Sequence, residues 1–212
     1  MVVADVMTLN PRFIHPDMSV PEARSIMKKE KIGRLVVLDK SNKLVGIITE
    51  RDIVNASPSV ATTLDMYEMS HLLSRLKVEQ VMKKNVITVD ENEVVEEAAR
   101  IMVDNNISAL PVLKNGVLTG IVSDGDLYRL FIKMFGAYQE GVRITLLVPE
   151  ERGELHKLAS CITEKGGNIH ALVICEGSDV TNKRCLIKVS DISKDALLEA
   201  TKPYSIKVLD IR

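Results

Sequence analysis

Two hydrophobic periods alternate along the chain. An acidic turn opens an amphipathic helical pattern over residues 20–30, and a second opens one over 93–105. A short β-like stretch precedes each helix, Arg12 to His15 in one case and Val86 to Val89 in the other. Runs of branched aliphatic residues follow, Ile32-Gly33-Arg34-Leu35-Val36-Val37-Leu38 and Ile107-Ser108-Ala109-Leu110-Pro111-Val112-Leu113, which predict strands. Polar turns at Lys40-Ser41-Asn42-Lys43 and Lys114-Asn115-Gly116 then fold each strand back as a hairpin. Its second arm runs into Gly46-Ile47-Ile48-Thr49-Glu50-Arg51-Asp52 or Gly120-Ile121-Val122-Ser123-Asp124-Gly125-Asp126, where helical spacing resumes.

One pattern has therefore been written twice. Val6-Met7 recurs as Val81-Met82, Glu22-Ala23 as Glu97-Ala98 and Ile26-Met27 as Ile101-Met102, each displaced by 75 positions. The repeats are placed at 1–56 and 76–136, with 57–75 between them. That link begins as a polar stretch broken by Pro58, then carries Met69, Leu72, Leu73 and Leu76 on one helical face, a stripe suited to core or dimer packing. A third region, 141–212, starts after Gly136 and Gly141 with the apolar run Val142 to Val148. Leu155, Leu158, Ala159 and Ile162 mark a helix, Gly167-Asn168-Ile169 leads into a strand to Cys175, and strand 184–189, helix 193–201 and strand 205–211 follow. The order β-α-β-β-α-β is ferredoxin-like, and the expected fold class is α/β (α+β).

Both repeats end in Gly-hydrophobic-hydrophobic-Thr/Ser-x-x-Asp, and with the preceding β-α-β-β-α order this resembles a tandem pair of CBS motifs, the Bateman module. The resemblance implies two pseudo-symmetric clefts for adenosine-containing ligands. Asp52 and Asp126 would take the ribose hydroxyls, and Thr49 and Ser123 a phosphate at the following helix start. Ile14, Ile32, Thr88, Ile107 and Ala109 would wall the adenine. Thr49-x-x-Asp52 and Ser123-x-x-Asp126 equally read as helix caps, but their recurrence at matching points favours a ligand. Arg51 beside Asp52 would help neutralise phosphates, whereas Asp124 puts a second carboxylate near the other cleft, so unequal sites are expected. Arg34 is either a further phosphate group or a solvated charge at a strand end.

Residues 141–212 resemble an ACT domain, with Arg152-Gly153 where that family has Pro-Gly and with the Gly-x-Asn-Ile element displaced by one glycine. The resemblance implies side-by-side homodimers and an amino-acid site at Gly153 and Asn168, residues that also serve as ordinary turn formers. The wording around Tyr67-Glu68-Met69 and Leu72 to Val78 is similar to bacterial acetoin-utilisation accessory proteins, which combine the same two modules.

Composition narrows the remaining options. A formal charge of −1 without like-charge runs argues against nucleic acid. The beginning of the chain lacks a signal-peptide pattern and no apolar run approaches a membrane span, which places the expectation in the cytoplasm. Cys161, Cys175 and Cys185 form no CxxC and read as small buried apolar residues. His15, His71, His156 and His170 are scattered outside any catalytic spacing, so no catalytic or metal-binding residue is assigned. The expected protein is a sensor of AMP, ADP or ATP, with magnesium accompanying a triphosphate and a metabolic enzyme as partner; a ligand-free scaffold or an amino-acid-sensing regulatory subunit is the alternative.

Overall fold

The computed structural model describes residues 1–56 and 75–212. Met69, Leu72 and Leu73 of the inter-repeat stripe, and the Tyr67-Glu68 wording beside it, lie outside the described residues. The chain divides into two compact units, Met1–Leu127 and Tyr128–Arg212. The fold is mixed α+β.

In the first unit a 3-10 turn (Val3–Asp5) and β1 (Thr8–Leu9) precede β2 (Phe13–Ile14), α1 (Val20–Glu30), β3 (Arg34–Leu38), β4 (Leu44–Thr49) and α2 (Glu50–Ala56). The second repeat gives α3 (Val78–Val81), β5 (Val89–Asp90), α4 (Val95–Asp104), β6 (Ala109–Lys114), β7 (Val117–Ser123) and α5 (Asp124–Met134). Helix α1 starts where its sequence requires. Ser19 accepts from the Glu22 amide, the Glu22 carboxylate accepts from the Ser19 amide at 3.0 Å, and Pro21 occupies the first turn. The apolar face formed by Val20, Ala23 and Met27 is buried against Leu35, Val37 and Ile48.

The opening segments of the repeats are exchanged. Strand β1 pairs with β7, Thr8 opposite Ile121, in the sheet β1-β7-β6-β5. In the three-stranded sheet β2-β3-β4, the corresponding edge position beside Ile47 is taken by Lys83 of the second repeat. Apolar burial follows the same exchange: Val3, Val6 and Met7 pack with Val89, Ala98 and Val112, whereas Val78, Val81 and Met82 pack with Leu35, Val37 and Ile48. Neither repeat therefore completes its core alone. Burial of these aliphatic side chains, each worth about 1.5–3 kcal/mol, ties the two into one body.

The second unit contains β8 (Val142–Pro149), α6 (Glu154–Glu164), β9 (Asn168–Glu176), β10 (Asn182–Ser190), α7 (Lys194–Thr201) and β11 (Lys207–Ile211). Its sheet is antiparallel in the order β11-β8-β10-β9, which realises the expected β-α-β-β-α-β order. Ile144, Leu146 and Val148 of β8 and Cys185, Ile187 and Val189 of β10 meet Leu158, Ile162 and Leu197 of the helices in one core. The cysteines divide, which corrects the expectation of three buried residues: Cys161 and Cys185 are in the core, but Cys175 is exposed. It lies on β9, an edge strand that pairs only with β10 among the described strands. Among the described residues no helix is long and apolar enough to cross a membrane.

Candidate functional site

Each repeat presents its polar motif at the same structural point, where the second hairpin strand ends and a helix begins. At the first of these, the Asp52 carboxylate accepts from the Thr49 amide at 2.9 Å and from the Thr49 hydroxyl at 2.6 Å, while the Asp52 amide donates to Thr49 Oγ1 at 3.3 Å. At the second, the Asp126 carboxylate accepts from the Ser123 amide at 2.8 Å and hydroxyl at 2.6 Å. The first pair is thus closed as a reciprocal helix cap, and in the second the Asp126 carboxylate holds the Ser123 amide and hydroxyl. One oxygen of each carboxylate holds the turn. The other Asp52 oxygen lies 4.0 Å from Lys83 Nζ.

A cleft of about 420 Å³ opens beside the first motif. Gly33, Arg34, Ile47, Thr49, Glu50 and Arg51 form one wall. Asn106, Ile107, Ser108 and Ala109 form the other, and Lys83 reaches it because the opening segments are exchanged. The lining therefore unites three cations, one carboxylate and apolar surface from Ile47, Ile107 and Ala109. Such a concave site can hold a flat apolar ring at one end and an anion at the other. Among the described residues no group of three or more His, Cys, Asp or Glu side chains gathers to hold a metal ion.

Of the residues expected from sequence, Arg34, Thr49, Arg51, Ile107 and Ala109 meet in this lining. Asp52 stands behind Thr49 as its cap partner. Ile14 is 2 % exposed within the first repeat's core, and Ile32 packs against the same core. Thr88 is half-buried just before β5, and Ser123 and Asp126 sit at the counterpart position in the second repeat. Gly33, Ile47, Glu50, Lys83, Asn106 and Ser108 were missed. Lys83 is contributed by the exchange, which the repeat alone does not reveal. Ser108 and Asn106 could have been found by extending the Ile107–Ala109 assignment to its neighbours.

Arg34 is not a solvated end. Its guanidinium donates to the Ser108 carbonyl and lies 3.8 Å from Asp124, and its side chain is 23 % exposed. A contact of this kind spans both repeats.

In the second unit Gly153 caps α6 with φ of 84°, and nothing lies within 4 Å of where its Cβ would be. A shallow cleft of about 150 Å³ beside it is lined by Glu151, Glu154, Leu155, Ile174 and Lys183. Asn168 opens β9 opposite Ser190, whereas the end of β8 that leads to Gly153 is opposite Asn182. The two residues thus stand at opposite ends of the sheet within one chain.

A family model for the CBS domain matches residues 3–59 and 78–133. Among solved structures, the CBS domain pair of protein MJ0100, in complex with 5′-methylthioadenosine and S-adenosyl-L-methionine, is 33 % identical. That match covers 66 % of this chain and 98 % of the other, with a TM-score of 0.53. A provisionally assigned acetoin utilization protein from Vibrio cholerae is 27 % identical over 66 % of this chain and 97 % of its own, with a TM-score of 0.54. CBSX2, solved in complex with AMP, is 28 % identical over 62 % of this chain and 96 % of its own, with a TM-score of 0.50. With both repeats matched across more than half its length, the chain belongs to the CBS domain family.

Proposed function

We propose that this protein is a non-catalytic regulatory sensor whose paired CBS repeats bind an adenosine ligand, AMP, ADP or ATP. The observation that carries the reading is the convergence of Arg34, Arg51 and Lys83 with apolar Ile47 and Ile107 on one nucleotide-sized cleft. The adenine would lie against Ile47, Ile107 and Ala109, and the ribose hydroxyls would donate to the outer oxygen of Asp52. The phosphates would meet Arg51 and Lys83, with magnesium accompanying a triphosphate. Thr49 already donates its hydroxyl proton to Asp52, so its phosphate role needs that proton to turn. Adenosine ligands in the MJ0100 pair and in CBSX2 support the same chemistry at this fold.

The C-terminal unit is read as an ACT-type domain that pairs into a homodimer and transmits occupancy to a metabolic enzyme, in a setting such as acetoin metabolism. Its ferredoxin-like strand order supports the domain reading, and the name of the Vibrio cholerae neighbour, which matches 66 % of this chain, supports only the acetoin setting. A second ligand, an amino acid, has a specific feature in its favour: the cleft beside Gly153 offers Lys183 to a carboxylate and Glu151 and Glu154 to an ammonium group.

Calorimetric titration with AMP, ADP, ATP and S-adenosylmethionine tests the proposal. Binding should weaken at least tenfold in the Arg51→Ala, Lys83→Ala double variant, since charged hydrogen bonds of this kind contribute about 1.5–3 kcal/mol each. Unchanged affinity there would remove the cleft from consideration, and no binding by the natural sequence would leave a ligand-free scaffold.

A further inference from the structure

The repeat assigns each cleft residue a counterpart. Thr49, Glu50 and Arg51 correspond to Ser123, Asp124 and Gly125, and Lys83 corresponds to Thr8. Arg34 corresponds to Ala109. The first cleft draws Asn106 to Ala109 from the second repeat, so the counterpart cleft draws Lys31 to Arg34 from the first. Arg34 consequently belongs to both. It lines the first cleft, while its guanidinium reaches Asp124 at the mouth of the counterpart.

One guanidinium cannot make its full set of contacts to a phosphate and to Asp124 together. The pair with Asp124 is long, at 3.8 Å, and the Asp124 side chain is 45 % exposed, so Nη2 can leave it for a doubly charged competitor while Nη1 stays on the Ser108 carbonyl. We propose that Arg34 is an exchangeable link between the clefts: an anion in the first withdraws it from Asp124, and the released carboxylate then favours a cationic adenosine ligand in the second. This rests on the adenosine reading of the clefts. The counterpart cleft has Gly125 and Thr8 in place of Arg51 and Lys83, so once Arg34 is drawn away Lys31 is the cation left facing Asp124, and the cleft is less positive than the first. The linkage is reciprocal: a sulfonium-bearing nucleoside that engages Asp124 frees Arg34 for phosphate. The two clefts thus differ in ligand charge and help one another.

The experiment is calorimetric titration of the full chain with ATP and, separately, with adenosine, comparing the natural sequence with Asp124→Asn, Arg34→Ala and the double variant. Asp124→Asn keeps the side-chain shape while removing Arg34's competing partner. It should tighten ATP about two- to fivefold, the range of a weak ion pair, while leaving adenosine affinity and ATP stoichiometry unchanged. In the Arg34→Ala background the same substitution should do nothing. With the natural sequence, S-adenosylmethionine should raise ATP affinity by a similar factor. If ATP binds but Asp124→Asn leaves the ATP-to-adenosine ratio unchanged, or adds a second ATP instead of tightening the first, the link is overturned while the nucleotide reading stands. If neither ATP nor adenosine binds the natural sequence, both fall.

Discussion

Met7 lies over Gly120 so closely that a Cβ on the glycine would overlap its sulfur, and Met82 stands in the same relation to Gly46. Each methionine comes from the opposite repeat, so these two contacts are where the exchanged segments lock onto their host sheets. Gly120→Ala or Gly46→Ala should destabilise the protein by about 1–3 kcal/mol through overpacking. Gly33→Ala, where nothing lies within 4 Å of the added carbon, should change little. Urea denaturation checks this. Combining Gly120→Ala with Met7→Ala should cost less than the sum of the single changes, because the truncated side chain no longer meets the new methyl group.

The Thr49 hydroxyl that a phosphate would approach holds the start of α2, and the Ser123 hydroxyl donates to Asp126 in the first turn of α5. Thr49→Val should lower stability by about 1 kcal/mol with no nucleotide present, since it removes a helix cap, and Ser123→Ala should lower it by no more than that, since it removes a hydroxyl that donates to Asp126. Thermal melts of the ligand-free protein measure it. Melting temperatures equal to that of the natural sequence would show that the caps contribute nothing and that the motif is kept for ligand alone.

Much of this arrangement was legible because local pattern and tertiary environment agree. Helix α1 spans the residues its spacing predicts, and the β-α-β-β-α-β order of the second unit follows from four strand runs and two helical stripes. The exchange was not legible. Val6-Met7 and Val81-Met82 are the same dipeptide before the same kind of repeat, so local sequence cannot say which sheet each joins. Lys83 was missed as a cleft residue for that reason, whereas Arg51 and Thr49 were found because they travel with the motif. Cys175 was misjudged because an apolar strand run looks alike at an edge and in the middle of a sheet.

Those thiols separate by environment. Burial pushes the Cys185 thiol up to about 11 and also raises Cys161, while Cys175 is exposed. Iodoacetamide at pH 8 should therefore label Cys175 alone in the native protein and all three in urea, as mass spectrometry would record. The folded pKa of Cys185 exceeds its unfolded value of about 9.0, so its contribution to stability is complete below that pH and declines as the pH rises through about 11. Denaturation midpoints measured across that window should fall in the natural sequence and fall less in Cys185→Ala. Equal slopes would assign the decline to other groups.

Gly153 adopts a left-handed backbone in open space, so strain and contact can be separated there. Gly153→Ala should cost about 1 kcal/mol in melts, and Gly153→Asn less, because asparagine tolerates that conformation. A much larger loss would mean that the position is crowded by something beyond this chain. Asn168 stands at the far end of the sheet, so Asn168→Ala should not alter the effect of Gly153→Ala.

Among the described strands β9 is an edge of its sheet, with Leu172 and Ile174 exposed on it. An edge of this kind invites another strand, and natural proteins that leave one bare commonly guard it with charge. His170, Leu172, Ile174 and Cys175 supply no permanent charge along the middle of β9, although Glu176 ends it. A second copy pairing antiparallel to β9 would satisfy the open backbone groups and bring the two apolar pairs together about a twofold axis. Leu172→Lys and Ile174→Lys place cations across that axis at the margin of the core, opposite Ile187 and Cys185. Each should shift sedimentation from dimer to monomer while circular dichroism still reports a folded protein, and Leu172→Ala and Ile174→Ala, which lose the same apolar contact without adding charge, should disturb the dimer less. Lysine variants that remain dimeric would move the interface away from this edge. A natural protein that sediments as a monomer at every concentration would remove the dimer, and with it the route by which the C-terminal unit is proposed to signal.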